Sequence, residues 1–513
     1  MRCSRLALFT TLAVADLPVH CRRHTIVGQW HFKLSKTTQE RQDCGHVAPD
    51  REDHQPENST VVPASTLDVD LQDPSTVLSE KGPGNWTMIY DEGFFMDVDG
   101  MQLFAFSKFK LADAKSSLRK FSHGKQIYRS ICGQTEVGWF RVKATNEWGC
   151  YFGEKNVANP SKESRFLSLM EVPKSPAYYE EVSRSDAVEA VEEINSAQSG
   201  WVATVYDRWN GLTMEQLNLR AGQPKYSLVQ TESKHHTAHP HNFLEIGEST
   251  EDLPKSFDWR NATVDGKAQD FVGHPSDQGD CGSCYVVSST NMLSMRHRIM
   301  KKNAALSPFS INFPLYCSDL NQGCKGGYPF LVGLWANQVG LLPTHCTGKY
   351  FTDDNLGCAS LLSRHKEDFR SCMGNTSIKV KDFGYVGGYY GGGSAAAMMK
   401  EIHENGPVAV AISPAYDFMY YKQGVYSHSG INTKADWVKV DHAVLLVGWG
   451  EENGKKYWIM QNSWGSDWGE GGYMRIARGE NESGIEFEAI RATLEEVPND
   501  THLSAWIQKH SEL

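Results

Sequence analysis

Beyond its first dozen positions the sequence has no run of some 18 consecutive apolar residues. No later segment therefore reads as a membrane-spanning helix, and a soluble mature chain is expected. It also has no basic surplus. Its 51 Lys and Arg face 62 Asp and Glu, a net charge of −11, which argues against a nucleic-acid binder with its basic stripe or patch. A long low-complexity or compositionally disordered block is missing too; 40% hydrophobic and 22% charged residues are ordinary globular values. At 513 residues one core does not suffice, and roughly three domains are the prior.

What is present begins at the N-terminus. Arg2 and Arg5 are basic, Leu6 to Leu12 is largely apolar, and Ala13-Val14-Ala15 is a small-residue cleavage pattern. Together they read as a secretory signal peptide over residues 1–15, cut after Ala15 and too short to span a bilayer. The expected route is the secretory pathway, where disulfides form. Asn-X-Ser/Thr sequons at Asn58, Asn85, Asn261, Asn375, Asn481 and Asn499 fit a glycoprotein on that route.

There are 12 cysteines, and Cys3 would leave with the signal peptide. The odd remainder implies at least one unpaired thiol, reactive or intermolecular. The stretch "DQGDCGSCYVVSS" from Asp277 sets two cysteines three positions apart. A redox pair would expect a compact βαβ context, and nothing around Cys281 and Cys284 looks like one. A zinc site would need a second ligand pair; the nearest candidates, Cys317 and Cys324, are spaced by seven. The third reading is one structural cysteine beside one chemical one, and the cysteine count does not say which is which. After Cys284, Val287, Met292, Met295 and Ile299 recur at helical spacing, and Arg296, His297, Arg298, Lys301 and Lys302 gather at the far end. That polarity predicts a helix starting at Cys284. A thiol there feels positive potential, which favours the thiolate.

Cys281-Gly282-Ser283-Cys284-Tyr285 matches the C-G-[SA]-C-[WY] signature of papain-type proteases. "LPKSFDWR" from Leu253, "GCKGGYPF" from Gly323, "DHAVLLVGWG" from Asp441 and "YWIMQNSWGSDWGEGGYMRI" from Tyr457 stand around it. On these five motifs the chain from about Leu253 onward resembles the papain-like cysteine peptidases. The resemblance implies Cys284 as nucleophile and His442 as its ion-pair partner and then general acid to the leaving amine. Asn462 would accept a hydrogen bond from the imidazole, with Trp464 shielding that bond from water. Gln278 and the Cys284 backbone N–H would stabilise the oxyanion. Gly326 and Gly327 belong to the glycine-rich substrate wall. Taken alone, His442 reads better as a histidine packed at the mouth of the apolar strand Ala443 to Val447. His442 and Asn462 fall 158 and 178 residues after Cys284, beyond the usual roughly 130–150; the glycine- and cysteine-bearing region from Cys346 to Gly393 can hold the extra length.

The preceding half needs its own account. "NWTMIYDEGFFMDVDGMQLFAFSKFK" from Asn85 alternates aromatic and polar residues around an Asp99-Gly100 hairpin signal. With "GWFRV" and "WGCYFGEK" downstream it predicts a small antiparallel barrel or sandwich. Ala177–Gly222 reads as a charged helix, an extended stretch and a second helix, as in a propeptide lying along a cleft. "DLPVHC" from Asp16, "IYDEGF", "FAFSKFK", "WGCYFGEK", "YVGGYYGG" from Tyr385 and Tyr285 itself are similar to one branch of the family, the cathepsin C or dipeptidyl peptidase I type. The architecture expected is α+β: a two-lobed papain-like catalytic domain, one lobe helical and one a β-barrel, preceded by an all-β exclusion-domain barrel and a propeptide. The boundaries are signal peptide 1–15, exclusion domain 16–155, propeptide 156–252 and peptidase 253–513, with a heavy/light-chain nick near 431–440.

That branch resemblance implies a dipeptidyl aminopeptidase acting on free N-termini of peptides and proteins in a lysosome or vacuole, or after secretion. The barrel would block the cleft beyond two residues. The carboxylate of Asp16, newly N-terminal, would bind the substrate ammonium, which is charged at acidic to neutral pH; otherwise Asp16 is a solvated terminus. A chloride ion would sit at the second pocket on the Tyr385 hydroxyl and the amides of Tyr328 and Phe330, with Ile485 at the pocket floor. Neither an organic cofactor nor a metal is expected. Disulfides Cys21–Cys132, Cys44–Cys150, Cys281–Cys324, Cys317–Cys358 and Cys346–Cys372 would leave Cys284 free. Activating proteases and a homotetramer are further implied partners. The "SKHHTAHPH" run from Ser233 is a metal site or, by preference, exposed propeptide that charges in an acidic compartment. Two other functions stay open: an endopeptidase with an unrelated accessory domain, and a non-catalytic binding protein on a protease fold.

Overall fold

The computed structural model describes residues 17–51, 55–111, 127–156, 167–170, 181–221, 223–224, 226–229, 250, 252–353, 356–372, 376–431, 440–498 and 500–511. Asp16, the signal segment, the histidine run from Ser233 and residues 432–439 of the expected nick region 431–440 lie outside the described residues.

Nine strands build the N-terminal part: β1 (Gly28–Ser35), β2 (Pro63–Gln72), β3 (Thr76–Ser79), β4 (Gly82–Ile89), β5 (Gly93–Val98), β6 (Met101–Leu111), β7 (Ile127–Thr135), β8 (Gly138–Val142) and β9 (Glu147–Lys155). Alternation sets the inner face. Trp30, Phe32 and Leu34 of β1 are buried, and in register Trp30 faces Val69 and Phe32 faces Leu67 of β2. Asp99 (φ 54°) and Gly100 (φ 78°) turn β5 into β6, the two positive-φ positions of the hairpin signal. β1 returns to pair with β9, so β1–β6, β8 and β9 close an eight-stranded barrel without free edges. Disulfides Cys21–Cys132 and Cys44–Cys150 staple it.

Residues 181–224 contain the anticipated helix, extended piece and helix. Ser183 caps Arg184–Ala197 by accepting from the Asp186 N–H. Trp201–Ala203 adds a strand to the edge of the second sheet beside Tyr421–Tyr426, and Met214–Ala221 forms the second helix.

The peptidase region sets a helical lobe against that second sheet. Cys284–Met300 is its central helix, buried along most of its length. Arg296 pins the helix to the sheet lobe: it pairs with Glu401 at 2.8 Å and donates to the carbonyls of Gly406, Pro407 and Ala492. Three disulfides, Cys281–Cys324, Cys317–Cys358 and Cys346–Cys372, lie in the helical lobe, and Cys284 is the free cysteine among the described residues. A C-terminal helix, Thr501–Ser511, buries Leu503 and Ile507 and sets Trp506 edge-on to Phe313 at 5.6 Å. Among the described residues no helix is long and apolar enough to cross a membrane.

The barrel docks on the peptidase through polar and aromatic contacts. Arg41 pairs with Asp319 while lying 4.9 Å over Trp139, the Asp50 N–H donates to Asn321 O at 2.8 Å, and Lys509 reaches Glu40 at 3.0 Å. Next to this junction His46, Asp50 and Glu136 are all buried. His46 Nδ1 lies 3.1 Å from Asp50 and Nε2 2.9 Å from Val137 O. Burial pushes the Glu136 carboxyl up to about 8 and raises Asp50. Burial alone would lower His46, but the Asp50 hydrogen bond and charge leave it raised.

Candidate active site

Cys284 is the first residue of its helix, as the sequence polarity required. The loop before it is held rigidly: the Gly282 N–H donates to Cys324 O at 2.8 Å beside the Cys281–Cys324 bridge, and Ser283 Oγ meets the Tyr350 hydroxyl at 2.6 Å. That hydroxyl in turn lies 3.0 Å from Gln278 O. The Ala443 amide, next to His442, reaches the Cys284 sulfur and so places it beside the histidine strand.

His442 stands near the start of strand Val440–Glu452, opposite Ile412. Its Nε2 lies 2.8 Å from Asn462 Oδ1, just beyond strand Lys455–Gln461. Because that oxygen only accepts, Nε2 carries the proton, and the buried Nδ1, which has no hydrogen-bond partner among the described residues, keeps a lone pair. Trp464 stacks on the imidazole at 5.2 Å, covering the His442–Asn462 bond. Gln278 is buried; Nε2 donates to Cys281 O at 3.0 Å and Oε1 accepts from Ser463 Oγ. One Nε2 hydrogen is left for a further acceptor.

Electrostatics depart from the expectation of a thiolate. Burial pushes the Cys284 thiol up to about 11, with the Asp441 charge adding to it, and burial pulls His442 down to about 4. The helix N-terminus does not outweigh desolvation, and both groups are neutral. A segment of the same chain packs on the residues next to them. Gln223 and Pro224 pair with Asp441 and Val440, Trp464 Nε1 donates to Arg220 O at 2.8 Å, and Trp209 meets Trp464 edge-on at 5.8 Å. Arg208 pairs with Asp277 and Asp467, and Arg220 with Asp280 at 2.7 Å. Sequence reasoning anticipated a segment along the cleft but not this clamp, whose arginines are indistinguishable from solvated ones in the bare sequence.

The substrate wall refines one expectation. Gly326 is buried and uses both backbone groups in its own turn, its N–H to Gly323 O and its C=O from the Gln322 N–H. Gly327 (φ 156°) is half-buried, and a Cβ there would clash with Asn321 Oδ1 and lie 2.7 Å from the Tyr285 ring. Gly327 is thus the residue that keeps the wall thin at the cleft.

Around the expected anion site, Ile485 is buried and the Tyr385 ring stacks on Phe330 at 5.1 Å. Apart from the nearby Tyr90 amide, the buried Tyr385 hydroxyl has no hydrogen-bond partner among the described residues. The Phe330 N–H is in the first turn of helix Pro329–Gln338, where amides lack an intrahelical acceptor. The Tyr328 N–H, however, already donates to Asn321 Oδ1 at 2.8 Å, which corrects its place as an anion ligand. An anion fits two of the three expected donors.

The sequence matches the papain family cysteine protease model over residues 253–493 and the cathepsin C exclusion domain model over residues 16–155. The chain belongs to the papain family of cysteine proteases and is a cysteine peptidase. Cathepsin C of Schistosoma mansoni is 28% identical over 93% of this chain and 95% of the relative. Dipeptidyl aminopeptidase 1 of Plasmodium falciparum is 31% identical over 49% of this chain and 45% of its own length. A gut-specific cysteine proteinase of Caenorhabditis elegans is 30% identical over 58% of this chain and 88% of its own.

Proposed function

We propose that the protein is a dipeptidyl aminopeptidase of the secretory pathway, made as a precursor whose site is covered by its own chain. The observation that carries this reading is the closed barrel joined to the substrate wall through Glu92, whose carboxylate accepts from the Tyr328 hydroxyl one residue past Gly327. A barrel at that place limits how far a substrate extends, and the exclusion-domain match supports it. The two dipeptidyl-type relatives support the same activity, and five disulfides support the route.

In this reading, loss of the covering segment lets water and substrate reach Cys284 and His442, which removes much of the desolvation that keeps them neutral. The thiol proton passes to His442 Nδ1, and Sγ attacks the carbonyl carbon of the second residue. The remaining Gln278 Nε2 hydrogen and the Cys284 N–H receive the oxyanion. The imidazolium returns its proton to the leaving amine as the C–N bond breaks, and water attacking the thioester releases the dipeptide. Asn462 holds the ring throughout. Asp16 binds the substrate ammonium, and Gly327 presents its backbone to the chain. A chloride held by Tyr385 and Phe330 would supply a fixed negative charge in the second pocket.

The test uses processed protein with paired peptides, one with a free N-terminus and one acetylated. Stepwise dipeptide release from the free peptide alone is expected. Internal cleavage of the blocked peptide would establish an endopeptidase instead.

A further inference from the structure

A carboxylate deep in a protein needs donors, and where those donors come from reveals what it joins. Glu92 lies in the turn between β4 and β5, in the "YDEGF" stretch, and is 1% exposed. Its Oε2 accepts from two separate parts of the molecule, the Leu17 N–H at 3.2 Å and the Tyr328 hydroxyl. Asp91 beside it grips the same N-terminal segment: its carbonyl accepts from the Cys21 N–H at 2.6 Å and its carboxylate lies 2.7 Å from His20 Nδ1. Leu17 and Val19 are buried, and Cys21 is bridged to Cys132. Residues 17–21 are therefore fastened along the 91–92 turn, and the same turn is fastened to the wall of the cleft.

We propose that Glu92 is a positioning residue that fixes the spacing between the N-terminal segment of the chain and the substrate wall at Tyr328, and so sets how many residues a substrate extends past the scissile bond. This rests on the dipeptidyl aminopeptidase reading, in which the residue bonded to Leu17 is the ammonium anchor. Glu92 touches neither substrate nor reacting atoms. It acts through Leu17 on one side and Tyr328 on the other, which directly follows Gly327 in the chain. In that reading a change in the spacing of the two places changes the length of the peptide released. Tyr90 and Phe106 of the barrel also pack on the Tyr328 ring, at 5.1 and 5.9 Å, but the Glu92 carboxylate is the hydrogen-bonded tie that joins Leu17 and Tyr328 through one atom.

The experiment compares processed wild type, Glu92→Gln and Tyr328→Phe on a dipeptide-release substrate with a free amine and on its acetylated form. Glu92→Gln keeps shape and one neutral acceptor; Tyr328→Phe removes only the wall-side bond. Loss of a hydrogen bond to a charged group is expected to raise KM for the free-amine substrate about tenfold in each variant. The change in kcat should stay within about twofold, and mixed mono- and tripeptide products should appear. Equal loss of kcat and kcat/KM on every substrate would mark a merely structural role, and unchanged KM with strict dipeptide release in both variants would overturn the proposal. Failure of the wild type itself to release dipeptides would instead reject the underlying function.

Discussion

Glutamate 136 should make the barrel an acid-favouring unit, and the sign follows from its surroundings. Burial holds its carboxyl protonated up to about 8, against an ordinary value of 4.5. Between those values the folded chain binds a proton that the unfolded chain does not, so stability falls as pH rises through that window. One proton is worth about 1.4 kcal/mol per pH unit. From pH 5 to pH 7 the barrel should therefore lose about 2–3 kcal/mol through this side chain. Asp50, also raised by burial, acts in the same direction. So does His46, whose raised value means that its charged form stabilises the fold at low pH and is lost as pH rises. Replacing Glu136 with glutamine mimics the protonated carboxyl, and should match wild type near pH 5 while exceeding it by about 2–3 kcal/mol at pH 7. Hydrogen exchange of the β7–β8 segment, followed from pH 4.5 to 8 in Cys284→Ala protein to suppress self-digestion, reads this directly. A wild-type barrel gaining protection from pH 5 to 7, or a glutamine variant with the same slope as wild type, would refute the reasoning.

Further outcomes follow from the site. Gln278→Ala should cost about 100- to 1,000-fold in kcat with KM little changed, measured on the free-amine substrate, as loss of one oxyanion donor does. Arg208→Glu with Arg220→Glu removes three partly exposed ion pairs from the cover, each worth at most about 1 kcal/mol. Activation of the precursor should then quicken roughly tenfold, followed by the half-time of appearance of activity. Iodoacetamide at pH 6 should label Cys284 in processed protein and leave it unmodified in the precursor, because cover and thiol acidity change together; mass spectrometry locates the adduct. Gly327→Ala should raise KM more than tenfold and lower stability by about 1–3 kcal/mol, since the added methyl must displace Asn321 or Tyr285.

Local signals in the sequence were sufficient for local structure. The helix start at Cys284, the Asp99-Gly100 turn and the helix-strand-helix order between residues 184 and 221 each arise from residues close in the chain. The five disulfides followed from family resemblance and are present as pairs. What escaped depends on partners far apart. The burial that raises Cys284 and lowers His442, and the packing of Arg220, Gln223 and Pro224 on Asp280, Asp441 and Val440 beside them, arise only in the folded chain. The commitment of the Tyr328 amide to Asn321 needs the turn geometry of the wall. The tie between Glu92 and Tyr328 spans 236 positions. Nothing in the isolated "YDEGF" segment marks its acid as buried rather than solvated.

The placement of the disulfides has one more effect. Two lie wholly within the barrel and three within residues 281–372. A cut in the 156–252 region, with another near 431–440, would leave three polypeptides with no sulfur bridge between them among the described cysteines. His442 and Asn462 would reside on one fragment and Cys284 on another. Such an enzyme is a quaternary assembly made from a single translation product. It should run as separate bands on a denaturing gel without reductant, and its subunits could be exchanged between differently labelled preparations by mild chaotrope and dilution.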